Sequence, residues 1–159
     1  MLHLGFNWKR LTFRTAPSGR GDAKRWVRSQ YPEEVALLRR RNYQRGLFLI
    51  AVCDGDNVGL AARKADLDGT LPGPRGEEER IAKPVPTWSI ETWLLALLGQ
   101  ETTDENETRK HEFERQYPKG EAETRALVEA SEAWRARADQ IPSVPSLADS
   151  KTEMRRINP

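Results

Sequence analysis

Two rhythms of apolar and polar residues run along this chain, and the changes between them mark its elements. Leu11-Thr12-Phe13-Arg14-Thr15 alternates and holds β-branched and aromatic residues, the pattern of a short strand. Ala16-Pro17-Ser18-Gly19-Arg20-Gly21 breaks it. Asp22 is placed to cap a helix that starts at Ala23 and carries Trp26 and Val27 on one face. Pro32, Glu33 and Glu34 suit the first turn of a new helix, with Val35, Leu37 and Leu38 as its apolar surface and Arg39, Arg40 and Arg41 at its C-terminal end. The stretch Leu47–Asp56 follows. Its apolar run from Leu47 to Cys53 is continuous and ends at Asp54-Gly55-Asp56. A run of that length predicts a strand buried on both faces, and in an open parallel sheet ligands bind just beyond such carboxyl ends.

Beyond it, residues Val58–Leu67 have helical composition, with Leu60, Ala61, Ala62 and Ala65 as the expected apolar side. Ile81–Pro86 reads as a strand in which Pro84 cannot donate to a ladder, so it lies at an edge or is short and bent. Ser89 can cap an apolar helix over Ile90–Leu98, ended by Gly99. Two more helices are predicted over Asp104–Gln116 and Glu121–Asp139, the second with Leu127, Val128, Ala130, Ala133 and Trp134 as its stripe. Ser143–Pro159 is a tail in which Leu147 and Met154 dock. Strands alternating with helices predict an α/β fold with a mainly parallel sheet and right-handed crossovers. The expected organisation is an α/β domain over 1–100, a helical extension over 101–141 and a C-terminal tail over 142–159.

Composition sharpens this in two places. The chain has 159 residues, 31% of them charged and 37% hydrophobic, so one modest core with exposed helices or tails is expected. Its net charge is only +2, but the excess of cations is concentrated in residues 9–45, where Lys and Arg far outnumber Asp22, Glu33 and Glu34. A basic block suits phosphate-rich partners; it is equally the composition of a solvated helix face. The single cysteine, Cys53, excludes an intrachain disulfide and fits a reducing cytoplasm. No run reaches membrane-spanning length, and Met1 to Asn7 is too short for a signal peptide.

The chemistry candidates lie at the two predicted strand ends. Asp54 and Asp56, two apart in extended chain, point the same way, and Gly55 allows a sharp exit. Two close carboxylates repel, and Mg²⁺ or Mn²⁺ held by carboxylates plus a substrate phosphate would remove that repulsion. A turn in which both acids cap the next helix explains the same residues. An EF-hand loop from Asp54 fails at Val58 and Ala65, a haloacid-dehalogenase pattern lacks its following threonine, and Pro17–Gly21 lacks the Lys-Ser/Thr of a P-loop. That loop could still cradle a phosphate at the start of the Asp22 helix. Glu91, in the first turn after Ser89, could complete a site with Asp54 and Asp56, although the helix dipole alone accounts for a carboxylate there. Trp88 and Trp93 suit the core better than base stacking, Cys53 suits an inert buried thiol, and His3 and His111 have no nucleophile at a suggestive spacing.

Leu47–Asp56 with its Asp-Gly-Asp ending, and Val85-Pro86-Thr87-Trp88-Ser89-Ile90-Glu91-Thr92-Trp93 after the next strand, resemble small bacterial proteins of the Toprim (topoisomerase–primase) fold, and Asp104-Glu105 resembles an acidic element that follows in them. The resemblance runs roughly from Leu11 to Trp134. It implies a Rossmann-like sheet, Mg²⁺ at Asp54 and Asp56, and action on nucleic-acid phosphodiester bonds, as in Toprim nucleases of phage defence. Glu91 would be auxiliary ligand or base, with Arg14, Ser18, Arg20 and Lys24 on the phosphate backbone. The family's metal site also uses a Glu at the end of an earlier strand. Only ten residues precede Leu11 and none is acidic, so the expectation is that the chain is a truncated or mis-started version, that a homo-oligomer or partner subunit supplies the first strand–helix unit, or that catalysis has been lost. The alternatives are therefore a Mg²⁺-dependent nuclease, a catalytically degenerate nucleic-acid-binding or assembly subunit, and a metal-dependent phosphatase or nucleotide-binding enzyme.

Overall fold

A computed structural model describes residues 11–17, 23–44, 46–101 and 108–157. It is mixed α/β and mostly helical: α1 (Ala23–Arg40), β1 (Leu49–Ile50), a 3₁₀ turn (Asp56–Val58), α2 (Gly59–Asp68), β2 (Ile81–Ala82), α3 (Ile90–Leu97), α4 (Lys110–Gln116), α5 (Glu121–Arg137), a second 3₁₀ turn (Ala138–Gln140) and α6 (Pro145–Arg155). Strands β1 and β2 form a two-stranded parallel sheet with Leu49 opposite Ile81 and Ile50 opposite Ala82, joined across α2. No helix among the described residues is long and apolar enough to cross a membrane.

Side chains on successive strand residues point to opposite faces, and the core divides accordingly. Leu49, Ala51 and Cys53 pack with Ile81 against Tyr31 and Val35 of α1 and Leu67 of α2. Phe48 and Ile50 pack with Ala82 against Met154 of α6 and Ile157 just beyond it. The sheet is thus covered by α1 and α2 on one face and by the end of the chain on the other. Residues 142–159, expected as a tail, instead contain α6. Leu147 and Met154 dock as anticipated, but as part of a core layer: Leu147 joins Trp93, Ala96 and Leu97 of α3 and Ala130 of α5. The indole N–H groups of Trp93 and Trp134 donate to the Ser146 and Ser150 hydroxyls at 2.6 and 3.0 Å, which makes Trp93 a core residue. A further cluster of Leu95, Phe113 and Ala126 joins α3, α4 and α5.

Four expectations are corrected. Leu11–Thr15 is not a strand; these residues form no ladder, and Thr12 to Thr15 are exposed. The helix does not restart at Pro32 but runs through it. An interior proline costs roughly 3 kcal/mol, and Tyr31 and Val35, four apart on one buried face, hold the helix together across it. The run Leu47–Cys53 is not doubly buried: its paired part is two residues long and Val52 is 46% exposed. Among the described residues only β2 pairs with β1, so one side of the strand lacks a covering neighbour. In α2 the buried positions are Arg63 and Leu67, while Ala61, Ala62 and Ala65 face outward. Gly99 ends α3 as expected, with φ at +87°, whereas 102–107, including Asp104 and Glu105, lie outside the described residues.

A single buried carboxylate ties α6 to the rest. Glu153 accepts from Lys64 Nζ at 2.9 Å, from both terminal nitrogens of Arg75 at 2.7 and 3.1 Å, and from the Lys83 backbone N–H at 2.9 Å. Burial alone would raise its pKa, but these donors outweigh burial and hold it down at about 2. The wholly buried Lys83 pairs with Asp68 at the end of α2. Burial lowers the Lys83 pKa against the opposing pull of that carboxylate. Removing one partner of a buried ion pair costs about 3–5 kcal/mol because the other charges remain buried. Glu153→Ala is therefore expected to reduce unfolding free energy on that scale in urea titrations at neutral pH, whereas Glu132→Ala on the exposed face of α5 stays within roughly 0.5 kcal/mol of wild type.

Candidate functional site

The Asp54-Gly55-Asp56 turn is fastened to the chain that leaves β2. Gly55 N–H donates to the Pro86 carbonyl at 2.9 Å and Asp56 N–H to the Trp88 carbonyl at 3.0 Å. Gly55 has ordinary helical dihedrals, φ −71° and ψ −26°, so it is needed for space rather than for flexibility. A Cβ there would stand 2.2 Å from the Thr87 carbonyl oxygen and 2.7 Å from that of Pro86. This close approach carries Asp54 to the start of α3, where its carboxylate accepts the Ile90 N–H. Ser89 has the extended backbone of a capping residue but makes no capping bond; its buried hydroxyl has no partner. Asp54, rather than Ser89, is thus the group that the first N–H of α3 acts on.

Glu91 lies in the same first turn, and its charge is the largest like-charge influence on Asp54. Burial first, then Glu91, then Asp56 push the Asp54 pKa up to about 6, against the lowering effects of the Ile90 N–H and Arg63. Asp56 is in a different situation. Its backbone is left-handed, φ 49°, a conformation that Asp tolerates better than most residues. Its Oδ2 lies 3.2 Å from Arg63 and 3.5 Å from Lys24 of α1. Asp54 and Glu91 therefore face each other's charge while Asp56 is matched by two cations. Among the described residues no three His, Cys, Asp or Glu side chains are gathered closely enough to hold a metal ion.

The remaining candidates separate. Lys24 reaches the acid edge through Asp56. Arg14 does not; it pairs with Glu34 on α1 at 3.0 Å. Ser18 and Arg20 lie outside the described residues. Cys53 is half-buried, and burial raises its thiol to about 11, as an inert core thiol requires. The residue missed in the sequence is Arg63. Its Nε donates to the Asp54 carbonyl at 3.0 Å, and its terminal nitrogens meet Asp56 and, at 3.7 Å, Asp66. The one available signal was an arginine four positions before Leu67, on the face that α2 must bury. Arg28 of α1 also reaches Asp66, at 2.8 Å, so α1 and α2 meet through ion pairs beside the acid edge.

Comparison with known proteins finds no family model, curated protein or solved structure that matches the chain.

Two expectations test this geometry. Gly55→Ala is expected to destabilise the fold by about 1–3 kcal/mol, the scale of overpacking against groups that cannot withdraw, read by urea denaturation. Asp54→Asn should act through pH. A carboxyl group whose folded-state pKa is raised favours the protonated folded state, so its ionisation weakens the fold as pH rises through about 6. Asp54→Asn is thus expected to be more stable than wild type at pH 7.5, by on the order of 1–2 kcal/mol after allowance for its partial exposure. The difference should vanish below about pH 4, where both states of the wild type are protonated. Thermal melts across that range would show it; a gap independent of pH would contradict the assignment.

Proposed function

We propose that this chain is a Toprim-like domain that uses Mg²⁺ or Mn²⁺ in cleaving nucleic-acid phosphodiester bonds. The observation that carries the reading is the meeting of Asp54, from the end of β1, with Glu91, from the start of α3 after β2. Two acids beyond the carboxyl ends of parallel strands, the charge of Glu91 helping to raise the Asp54 pKa, stand where α/β sheets bind ligands. Their hard oxygens suit a small divalent cation that keeps several of its waters. Asp54 and Glu91 would hold it, with Asp56 as a third ligand once freed from its cations. When bound, the ion would neutralise phosphate charge and lower the pKa of a water. The protein's own part is to orient Asp54 through the Ile90 N–H, to keep its carboxylate partly desolvated, and to present Lys24 to the phosphate backbone.

A second reading, a catalytically degenerate Toprim-like subunit that binds nucleic acid or assembles with a partner, is favoured by one observation: Asp56 is engaged by Arg63 and Lys24. Incubation with supercoiled plasmid, single-stranded DNA and RNA in Mg²⁺ and in Mn²⁺ separates the two. If the chain is a nuclease, Asp54→Ala and Glu91→Gln each lower the cleavage rate by roughly a hundredfold or more. Equal inertness of wild type and Asp54→Ala on all three substrates, with retained binding, would select the second reading.

A further inference from the structure

The basic block of residues 9–45 divides, in the structure, into matched and unmatched cations. Arg14 pairs with Glu34, Lys24 with Asp56, Arg28 with Asp66 and Arg39 with Glu79. Arg40 and Arg41, exposed at the end of α1, meet no carboxylate among the described residues. The chain that follows them is fixed by its backbone. Gln44 N–H donates to the Arg41 carbonyl at 2.9 Å, and Leu47 N–H to the Gln44 carbonyl at 3.0 Å. Tyr43 stands on that turn 74% exposed, its hydroxyl 3.4 Å from the Gln44 amide. Arg80 comes to the same end of the sheet, because its carbonyl accepts the Leu49 N–H at the start of β1. The opposing charges there are Glu77 and Glu78, exposed on the loop before β2, since Glu79 is taken by Arg39. The negative end of the α1 dipole accounts for arginines at this place, but not for the ring presented to water beside them.

We propose that the turn from α1 to β1 binds single-stranded nucleic acid, with Arg40 and Arg41 on its phosphates and the Tyr43 ring stacked on an unpaired base. The proposal rests on the reading of nucleic acid as the partner, and not on a bound cation or on cleavage. Guanidinium groups meet phosphate oxygens through paired hydrogen bonds and need no particular base. An aromatic ring adds stacking that every base can satisfy, provided the base is not already paired. Together they favour a single strand over a duplex, and over an anionic lipid surface, which has no base to stack. The contact is separate from Lys24, which lies near the other end of α1, roughly 24 Å from Arg40 at 1.5 Å per helical residue. It stands at the amino ends of the strands, whereas Asp54 and Glu91 stand beyond their carboxyl ends.

Binding of a fluorescein-labelled oligothymidylate, measured by anisotropy in EDTA over a range of NaCl concentrations, tests this. The double variant Arg40→Ala/Arg41→Ala is expected to bind more weakly. Its slope of log affinity on log salt should be shallower by about 1.4, the value for two single-strand phosphate contacts. Tyr43→Leu is expected to weaken binding by roughly five- to a hundredfold with the slope unchanged, while Tyr43→Phe keeps wild-type affinity. Affinity for a duplex of the same length should be indifferent to Tyr43→Leu. All three positions are exposed, so the variants should melt with wild type. Oligothymidylate affinity unchanged in the double variant and in Tyr43→Leu, but weakened by Lys24→Ala, would overturn the turn as a contact and leave nucleic acid as the partner. Loss of affinity in the double variant but not in Tyr43→Leu, with the same loss on vesicles of phosphatidylcholine and phosphatidylserine, would overturn base stacking in favour of charge alone. No binding by wild type would overturn the contact and the partner reading together. Binding that depends on Arg40, Arg41 and Tyr43, without cleavage in Mg²⁺ or Mn²⁺, would support the contact and remove only the nuclease reading.

Discussion

The buried Glu153 carboxylate is the constraint on which the rest of the molecule depends. It sits in α6, yet its donors come from α2, from the loop before β2 and from the backbone just after β2. A two-residue strand pair cannot stand alone in water. Here it stands because α1 and α2 cover one face, α6 covers the other, and Glu153 fixes the second cover in register with the first. A carboxylate with four donors, held well below its usual pKa, is a directional fastener where apolar contacts from Met154 and Ile157 are not. The exit of β2, and so the Pro86–Trp88 segment that grips Gly55, begins from that fixed point.

A few residues farther along the exit of β2 the electrostatics are unequal. Asp54 takes the first free N–H of α3, a stabilising role that any acid at a helix start can play. The proximity of Glu91 makes the same position uncomfortable at neutral pH. Asp56, one glycine away, has its charge matched by Lys24 and Arg63. One acid thus serves the fold and is frustrated by its neighbour, while the other is paid in full by cations. Such a contrast between adjacent carboxylates is a better mark of a site than the Asp-Gly-Asp spelling, which a capping turn explains equally well.

Much of the fold was legible. The helices at Ala23, Ile90 and Glu121 follow from apolar spacing and from Gly99, and the two strand positions from short apolar runs. Strand length was not legible, because burial on both faces depends on neighbours that no local pattern reveals. The closing helix was missed although its signal exists: Leu147, Ser150, Met154 and Ile157 recur at spacings of three and four, with serine small enough to meet the Trp134 indole. Glu153 on that stripe disguised it, since an acid among apolar residues reads as exposed until its partners are known. Of the site, Asp54, Asp56 and Glu91 were readable as acids at predicted strand ends, and Lys24 as a cation of the basic block at the start of a helix. Arg63 was not, because its acceptors are a carbonyl nine residues back and two acids on one side of a helix. The expectation of a cation came from the paired carboxylates and from the Toprim resemblance alike, and it stays a proposal.

The position of α6 in the chain has a consequence for how the protein is made. Phe48, Ile50 and Ala82 present an apolar face that is complete roughly 70 residues before the helix that covers it is synthesised. Until residues 145–157 have left the ribosome, that face and the Lys64, Arg75 and Lys83 groups awaiting Glu153 stay open together. The nascent chain thus carries a greasy surface beside the unmatched charges of Lys64 and Arg75, a combination that resists self-association through like-charge repulsion and is extinguished only when α6 arrives.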